Sequence, residues 1–394
     1  MTKKLYPNLR FIEFNEDWKN YSLSEVADFF NEKRIPIEAE KRISGKYPYY
    51  GATGIIDYVN DYIFEGEYIL LAEDGANIIT RTSPITYVTK DKFWVNNHAH
   101  ILRSKSGTNI FLSHVLENQN YVQYNSGTAQ PKLNSQIVKK INVFLPTYEE
   151  QLKIGIFLEK INKIITLYQE ELNALKQTKQ GFLQKMFPKD GETIPEIRFS
   201  EFTADWTNEV LENHVIILTG GTPKTNNSEL WFPKEVPWLS SGEVNKKRIR
   251  YTDNKISKKG LNSSSARWVE SHSVLIALAG QGKTRGTVAI NEIPLTTNQS
   301  IAALTPKKSL DAEFLYQSLG KRYEELRMIS SGGGTRGGLN KKILSELIIQ
   351  STNIEEQVKI GNFFKQIDQV IELKEKEIES LNQTKKGFLQ KMFV

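Results

Sequence analysis

The sequence predicts an α+β protein. Two mixed α/β blocks are each followed by a long helix, and the helices are expected to pair as an antiparallel coiled coil under an internal pseudo-two-fold repeat. Three observations carry this. Residues 149–187 recur at 355–393 without a gap, 22 of 39 positions being identical. The recurring segment has a seven-residue apolar period. The blocks between the copies hold short strand-like runs separated by turn signals.

Composition bounds the rest. The chain has 394 residues, 39% hydrophobic and 25% charged, as a folded protein of two or three domains would have. It has no cysteine, which excludes a disulfide scaffold, a thiolate zinc site and a cysteine nucleophile, and suits a reducing cytoplasm, the expected location. With five histidines, a histidine-rich metal site is not expected. No uninterrupted apolar run reaches the ~18 residues of a membrane span, and no apolar run follows the basic start MTKKLYPNLR to make a secretory signal. The net charge of +6 is unevenly placed: residues 20–147 carry 13 Lys+Arg against 13 Asp+Glu, and residues 208–352 carry 20 against 13. A local basic excess of that kind attracts nucleic acid.

Taken in order, the chain opens with Pro7-x-x-Arg10-Phe11-x-x-Phe14-x-x-Asp17-Trp18, which returns as Pro195-x-x-Arg198-Phe199-x-x-Phe202-x-x-Asp205-Trp206. Block one reads as strands at 67–72, 85–88 and 99–102 and a helix around 111–116. Block two reads as strands at 273–279, 287–290 and 300–304 and a helix from Ala312 to Arg327. Each block ends on a glycine-containing loop, 126–134 and 331–340, closing on Leu133-Asn134 and Leu339-Asn340. The same loop in the same place with different polar residues is what a recognition loop would show. The boundaries are block one 1–147, helix 148–187, block two 188–352 and helix 353–394, with the opening motifs at 7–18 and 195–206.

In the helices, Ile161, Ile165, Tyr168, Leu172, Leu175 and Phe182, with Lys179 between the last two, alternate steps of four and three, as do Ile367, Ile371, Ile378, Leu381 and Phe388 with Lys374 and Lys385 filling the seven-residue steps. That spacing makes a heptad seam. Lys179 and Lys385 hold the same seam position, where a polar residue fixes register at some cost in stability. A helix of this length rises about 57 Å, roughly one and a half turns of B-DNA.

Enzyme chemistry is not in view. Gly280-Gln281-Gly282-Lys283-Thr284 imitates a phosphate loop, but the glycine required five residues before Gly282 is Ala277, and Arg285-Gly286-Thr287 reads as a hairpin turn. No adenine-methyltransferase motif or nuclease carboxylate pattern is present. His98 and His100 without a third ligand fall short of a metal site. One of them is expected to pack in the block and the other to face a ligand.

The duplicated opening motifs, the duplicated Glu-Glu-Gln-x-Lys-Ile-Gly helix starts and the duplicated Gln-Thr-Lys-x-Gly-Phe-Leu-Gln-Lys-Met-Phe helix ends resemble the specificity subunit of type I restriction-modification systems over nearly the whole chain. Tyr49–Tyr58 with Glu73-Asp74-Gly75-Ala76-Asn77, and Gly220-Gly221-Thr222-Pro223 with Trp238–Gly242, resemble two classes of target recognition domain. The resemblance implies a non-catalytic subunit. Each block would be a target recognition domain reading one half of a bipartite, asymmetric double-stranded DNA target, while the helices set the gap. Two modification (methyltransferase) subunits would bind S-adenosylmethionine, and two restriction (translocase and nuclease) subunits would use ATP and magnesium. This chain itself would hold no cofactor or metal. A complex with modification subunits only, a coiled-coil adaptor without DNA contact and an ATPase with a degenerate loop stand as alternatives.

Arg and Lys read guanine edges, and Asn and Gln read adenine edges. Polar residues among loop glycines approach DNA closely, so Gln130, Lys132, Thr335, Arg336, Asn340 and Lys341 lead the DNA-binding candidates. Tyr50, Thr53, His98 and His100 join them in block one. Ser241, Lys246, Arg248, Arg250, Gln281, Lys283, Arg285 and Gln299 join them in block two.

Overall fold

The computed structural model describes residues 6–127, 129–280, 284–329 and 338–393. The chain divides into two compact units, 1–169 with 376–394, and 170–375. The long helices, α1 (Tyr148–Lys185) and α2 (Ile354–Lys391), are where the sequence period placed them, and both division points fall inside them. No helix among the described residues is long and apolar enough to cross a membrane.

The first unit is tied at its ends. Lys19–Ser22 pairs antiparallel with Asn142–Leu145, so block one starts and stops on one two-stranded clasp. Between them lies a four-stranded antiparallel sheet in the order Ala27–Phe29, Ala99–Ser104, Tyr68–Ala72, Thr86–Thr89. A second sheet runs Gly54–Val59, Ser44–Gly51, Lys92–Val95, Phe64–Glu65, with one parallel pair. Tyr68–Ala72 is buried throughout, which explains its uninterrupted apolar run. The helix Asn109–Glu117, capped by Thr108, covers the first sheet. Its core takes in Ile154 and Leu158 of α1 and Met392 beyond α2.

The second unit repeats the clasp as Thr207–Val210 with Ile348–Ser351. Its five-stranded sheet runs Val215–Thr219, Ile301–Pro306, Val274–Ala277, Val288–Asn291, Arg248–Ile249. Its four-stranded sheet runs Asn254–Ile256, Val236–Leu239, Leu295–Thr297, Trp268–Val269. The helical stretch expected from Ala312 to Arg327 is two helices, Ala312–Lys321 and Tyr323–Met328, meeting at Arg322.

Within each unit the long helices run antiparallel. In the first, Phe157 meets Phe388 edge-on at 4.9 Å. In the second, Phe182 meets Phe363 at 5.1 Å, Lys179 reaches Asp368 at 2.5 Å and Glu171 reaches Lys374 at 3.0 Å, so later residues of α1 face earlier residues of α2. Every seam residue named from the sequence is buried or half-buried.

The duplicated motifs fasten blocks to helices. Arg10 grips Glu150, and Arg198 grips Glu356, both carboxylates being fully buried. Gln151 donates to Pro146 O at 3.0 Å, while Gln357 donates to Thr352 O at 2.7 Å and accepts from Asp311 N at 2.9 Å. Lys153 pairs with Glu13, and Lys359 with Glu201. Gly155 and Gly361 permit close approach, since a Cβ would come within 2.8 Å of Thr108 Oγ1 and 2.6 Å of Asp311 Oδ1, the two helix-capping oxygens. At the other end, Phe393 stacks on Phe111 beside Trp18, and Phe187 stacks on Phe314 beside Trp206, each stack at 5.3 Å.

Candidate nucleic-acid interface

In the first unit, four separated segments converge. Tyr50 is the last residue but one of the strand Ser44–Gly51, and Thr53 sits exposed in the tight turn to Gly54–Val59, where Gly54 has φ +121°. Tyr87 holds that turn: its hydroxyl donates to Gly51 O and accepts from Gly54 N at 3.1 Å, and its ring stacks on Tyr50 at 5.7 Å. Burial pushes both phenols up, so they remain neutral donors. Asn96 N donates to Tyr50 O at 3.0 Å, and Asn96 Oδ1 accepts from His98 N at 2.8 Å, which brings the 96–98 turn alongside.

The loop 125–134 closes the face. Gly75 N donates to Pro131 O at 3.0 Å and Leu133 N to Glu73 O at 2.7 Å, and Asp74 stands opposite Lys132 in an antiparallel bridge. Asn125 Oδ1 accepts from Gly127 N and Lys132 N at 3.0 and 2.9 Å, shaping the loop from within. His98, half exposed, is oriented by Asp74, which meets its Nδ1 at 2.8 Å. Thr53, His98, Gln130 and Lys132 are exposed around this surface.

Of the two histidines, His100 is the one that packs in the block, which removes it from the DNA-binding candidates. It is fully buried, its Nε2 donating to Leu133 O at 2.8 Å and its Nδ1 accepting from Asn31 Nδ2 at 2.9 Å. It supports the loop and is out of a base's reach. Burial pulls its pKa down, against the charge of Glu73. Burial pushes the Glu73 carboxyl up, but Arg34 at 2.5 Å, His100 and Lys132 outweigh this and hold it below the usual range. Arg34, Asn31 and Asp74 were missed as partners, because only a fold brings residue 31 to residue 100; the acidic pair 73–74 next to a buried strand was the available signal.

In the second unit, Thr222 Oγ1 donates to Gln299 Oε1 at 2.6 Å, fixing an exposed side-chain amide. Gly221 N donates to Thr297 O and Leu278 N to Ser300 O, so the segments around 222, 299 and 278 adjoin. Arg285 lies in the turn joining Val274–Ala277 to Val288–Asn291. A Cβ on Gly338 would meet Leu278 O at 3.4 Å, placing the start of the 338–341 segment there, with Lys341 exposed. Gln281, Lys283, Thr335 and Arg336 lie outside the described residues.

Of the other candidates of block two, Asn340, Lys246, Arg248 and Arg250 have structural partners. Asn340 caps the helix Lys341–Ser345, accepting from Ile343 N at 3.0 Å. Ser241 begins the helical turn Ser241–Lys246, half-buried. Lys246 pairs with Glu243 and Asp253 at 2.9 and 2.7 Å. Arg248, its side chain 7% exposed, makes a two-pronged pair with Glu313 at 2.8 and 2.9 Å and reaches Asp368 at 3.4 Å. Arg250 pairs with Glu292 at 2.8 Å and Glu372 at 2.6 Å. Three cations that looked like a basic reading strip therefore bind carboxylates of their own unit, two of them on α2. The charge count could not reveal this for the arginines, because Glu313, Asp368 and Glu372 are 65 or more residues away from them.

Two stretches, 15–177 and 205–383, match the family described as type I restriction modification DNA specificity domain. The chain is 37% identical to a putative type I restriction enzyme specificity subunit of Haemophilus influenzae over 149 residues, which is 38% of each protein. It is 23% identical to the MjaVIII type I restriction enzyme specificity subunit of Methanocaldococcus jannaschii over 95% of this chain and 91% of that one. Its fold is similar to the crystal structure of a type I restriction-modification S subunit from M. genitalium, with a TM-score of 0.71, 16% identity and 99% of both chains covered.

Proposed function

Because the chain belongs to the type I restriction-modification DNA specificity family, we propose that it directs such a complex to a bipartite, asymmetric double-stranded DNA target, each block reading one half. The observation that carries the reading is the contrast between the parts. The Arg–Glu pairs and aromatic closures are duplicated residue for residue and the clasps in position and pairing, whereas the surfaces around His98 and Lys132 in one unit and Gln299 in the other share no residues. A duplicated frame with unlike surfaces suits two independent readings.

In this reading Thr53, His98, Gln130 and Lys132 face the first half-site, and Gln299, Arg285 and Lys341 the second. Hydrogen bonds from such groups to base edges would supply discrimination, and lysines would also meet phosphates. The helices set the gap and dock two modification subunits, which carry S-adenosylmethionine. Two restriction subunits, using ATP and magnesium, complete the assembly in the cytoplasm. The chain itself contributes binding and no catalysis.

The test is to co-express the chain with its modification subunit and map methylated adenines by sequencing. The reading expects one split motif with a fixed gap. A continuous motif, or methylation without sequence preference, would contradict it.

A further inference from the structure

Lys179 and Lys385 occupy the same place in the two copies of the long helix, yet their surroundings differ. In the second unit Asp368 meets Lys179 at 2.5 Å, and Asp368 is itself held by Gln317 at 2.8 Å and by Arg248. The position equivalent to Asp368 in the first unit is Asn162. Lys385 is half-buried, with no carboxylate partner among the described residues, and burial lowers its pKa.

Lys385 and Asn162 line one cleft of about 1160 Å³ in the first unit. Of its cations, Arg81 is taken by Glu117 at 2.8 Å and Lys90 by Glu159 at 3.1 Å. Lys160, Lys163, Lys385 and Lys386 have no ion pair among the described residues. Where the second unit repeats the helix, the first, second and last of these are Gln366, Gln369 and Gln180. The cleft therefore concentrates unmatched positive charge in one unit only. Its floor includes Val88, Ile110, Ile156 and Leu389, apolar surface that a phosphate backbone leaves uncovered and a protein segment covers.

We propose that this cleft binds an acidic, partly apolar segment of a partner protein, one of whose carboxylates meets Lys385 as Asp368 meets Lys179. The inference rests on the reading that the chain assembles with partner subunits. It adds which surface does so, and that the surface exists in one unit alone.

The assembled complex with the modification subunit tests it. Treatment with a water-soluble carbodiimide joins a lysine amine to a touching carboxylate as an amide, with loss of water to the carbodiimide, which becomes the urea. Adducts are expected from Lys385 or its three neighbours to one acidic peptide of the partner, and none from Lys179. Asn162→Asp supplies the counter-ion in place. It should abolish those adducts and weaken assembly about tenfold, the loss of one charge-assisted contact. The combined K160Q, K163Q and K386Q variant should do the same while the methylated motif stays as it was. Absence of adducts at these lysines while others couple, or wild-type assembly by N162D, overturns the proposal. So does a fall in the salt dependence of duplex binding by about 0.9 per lost contact in the triple variant, which would mark a phosphate site. Failure of the unaltered chain to assemble at all would instead overturn the function on which the proposal rests.

Discussion

Arg198 closes on Glu356 through Nε at 2.7 Å and a second guanidinium nitrogen at 2.8 Å, and that same second nitrogen donates to Ala204 O at 2.6 Å. The carboxylate has no exposure, so the pair ties the opening motif of block two to the first turn of α2 inside the protein. Arg10 and Glu150 make the same pair, at 2.7 and 2.6 Å, in the other unit.

Removing one partner leaves the other charge buried and unpaired. Arg198→Met should cost about 3–5 kcal/mol in urea unfolding, and Arg198→Met with Glu356→Leu considerably less. Equal losses for the single and double variants would show that the guanidinium contributes through packing alone.

Arg248 and Lys132 should separate structure from reading. Arg248→Gln takes the two-pronged partner from the buried carboxylate of Glu313, leaving it Lys365 at 3.3 Å, and should lower stability by about 1–3 kcal/mol without altering the methylated motif. Lys132→Gln changes an exposed residue, so stability should shift by about 0.5 kcal/mol or less while DNA affinity falls. A changed motif in Arg248→Gln, together with unaffected DNA binding in Lys132→Gln, would reverse the two assignments.

The helices, the two-block layout and most strands were legible, because period and self-similarity act over neighbouring residues. Exposure at the candidate surface was partly legible. Thr53, Gln130 and Lys132 sit in turns whose glycines and prolines announce exposure. Arg248 was misread because a charged residue looks the same in sequence whether it meets solvent or a carboxylate 65 residues on, and Lys246 because nothing local says that it turns back to Glu243 and Asp253. His100 was misread because its burial depends on Asn31 and Leu133, both far along the chain. The duplicated Arg and Glu were visible as conserved between copies, but nothing local says that they touch.

Stability should fall with acid through His114. Burial, then the charge of Lys385, pulls its pKa down to about 4. The unfolded chain takes a proton near pH 6.5, which the folded chain refuses until about pH 4. The folded state should therefore lose roughly 2–3 kcal/mol between those values, with His100 adding in the same direction. His114→Gln should flatten the profile in urea unfolding from pH 7 to 4.5; an unchanged slope would remove His114 as the cause.

If the helices set the gap, lengthening them should lengthen it. A heptad inserted after Gln177 in α1 and after Asp368 in α2 keeps the seam period and adds about 10 Å. The methylated motif should keep both half-sites and gain about three unspecified base pairs. An unchanged gap would separate the helices from spacing.

The central claim is that one duplicated frame carries two independent readers, and exchanging one reader tests it most directly. Residues 208–352 are replaced by the corresponding block of another specificity subunit with a different target, and the motif methylated by the resulting complex is sequenced. One half-site should change to the donor's, while the other half-site and the gap remain. A change in both half-sites, or in the half-site assigned to block one, would contradict it.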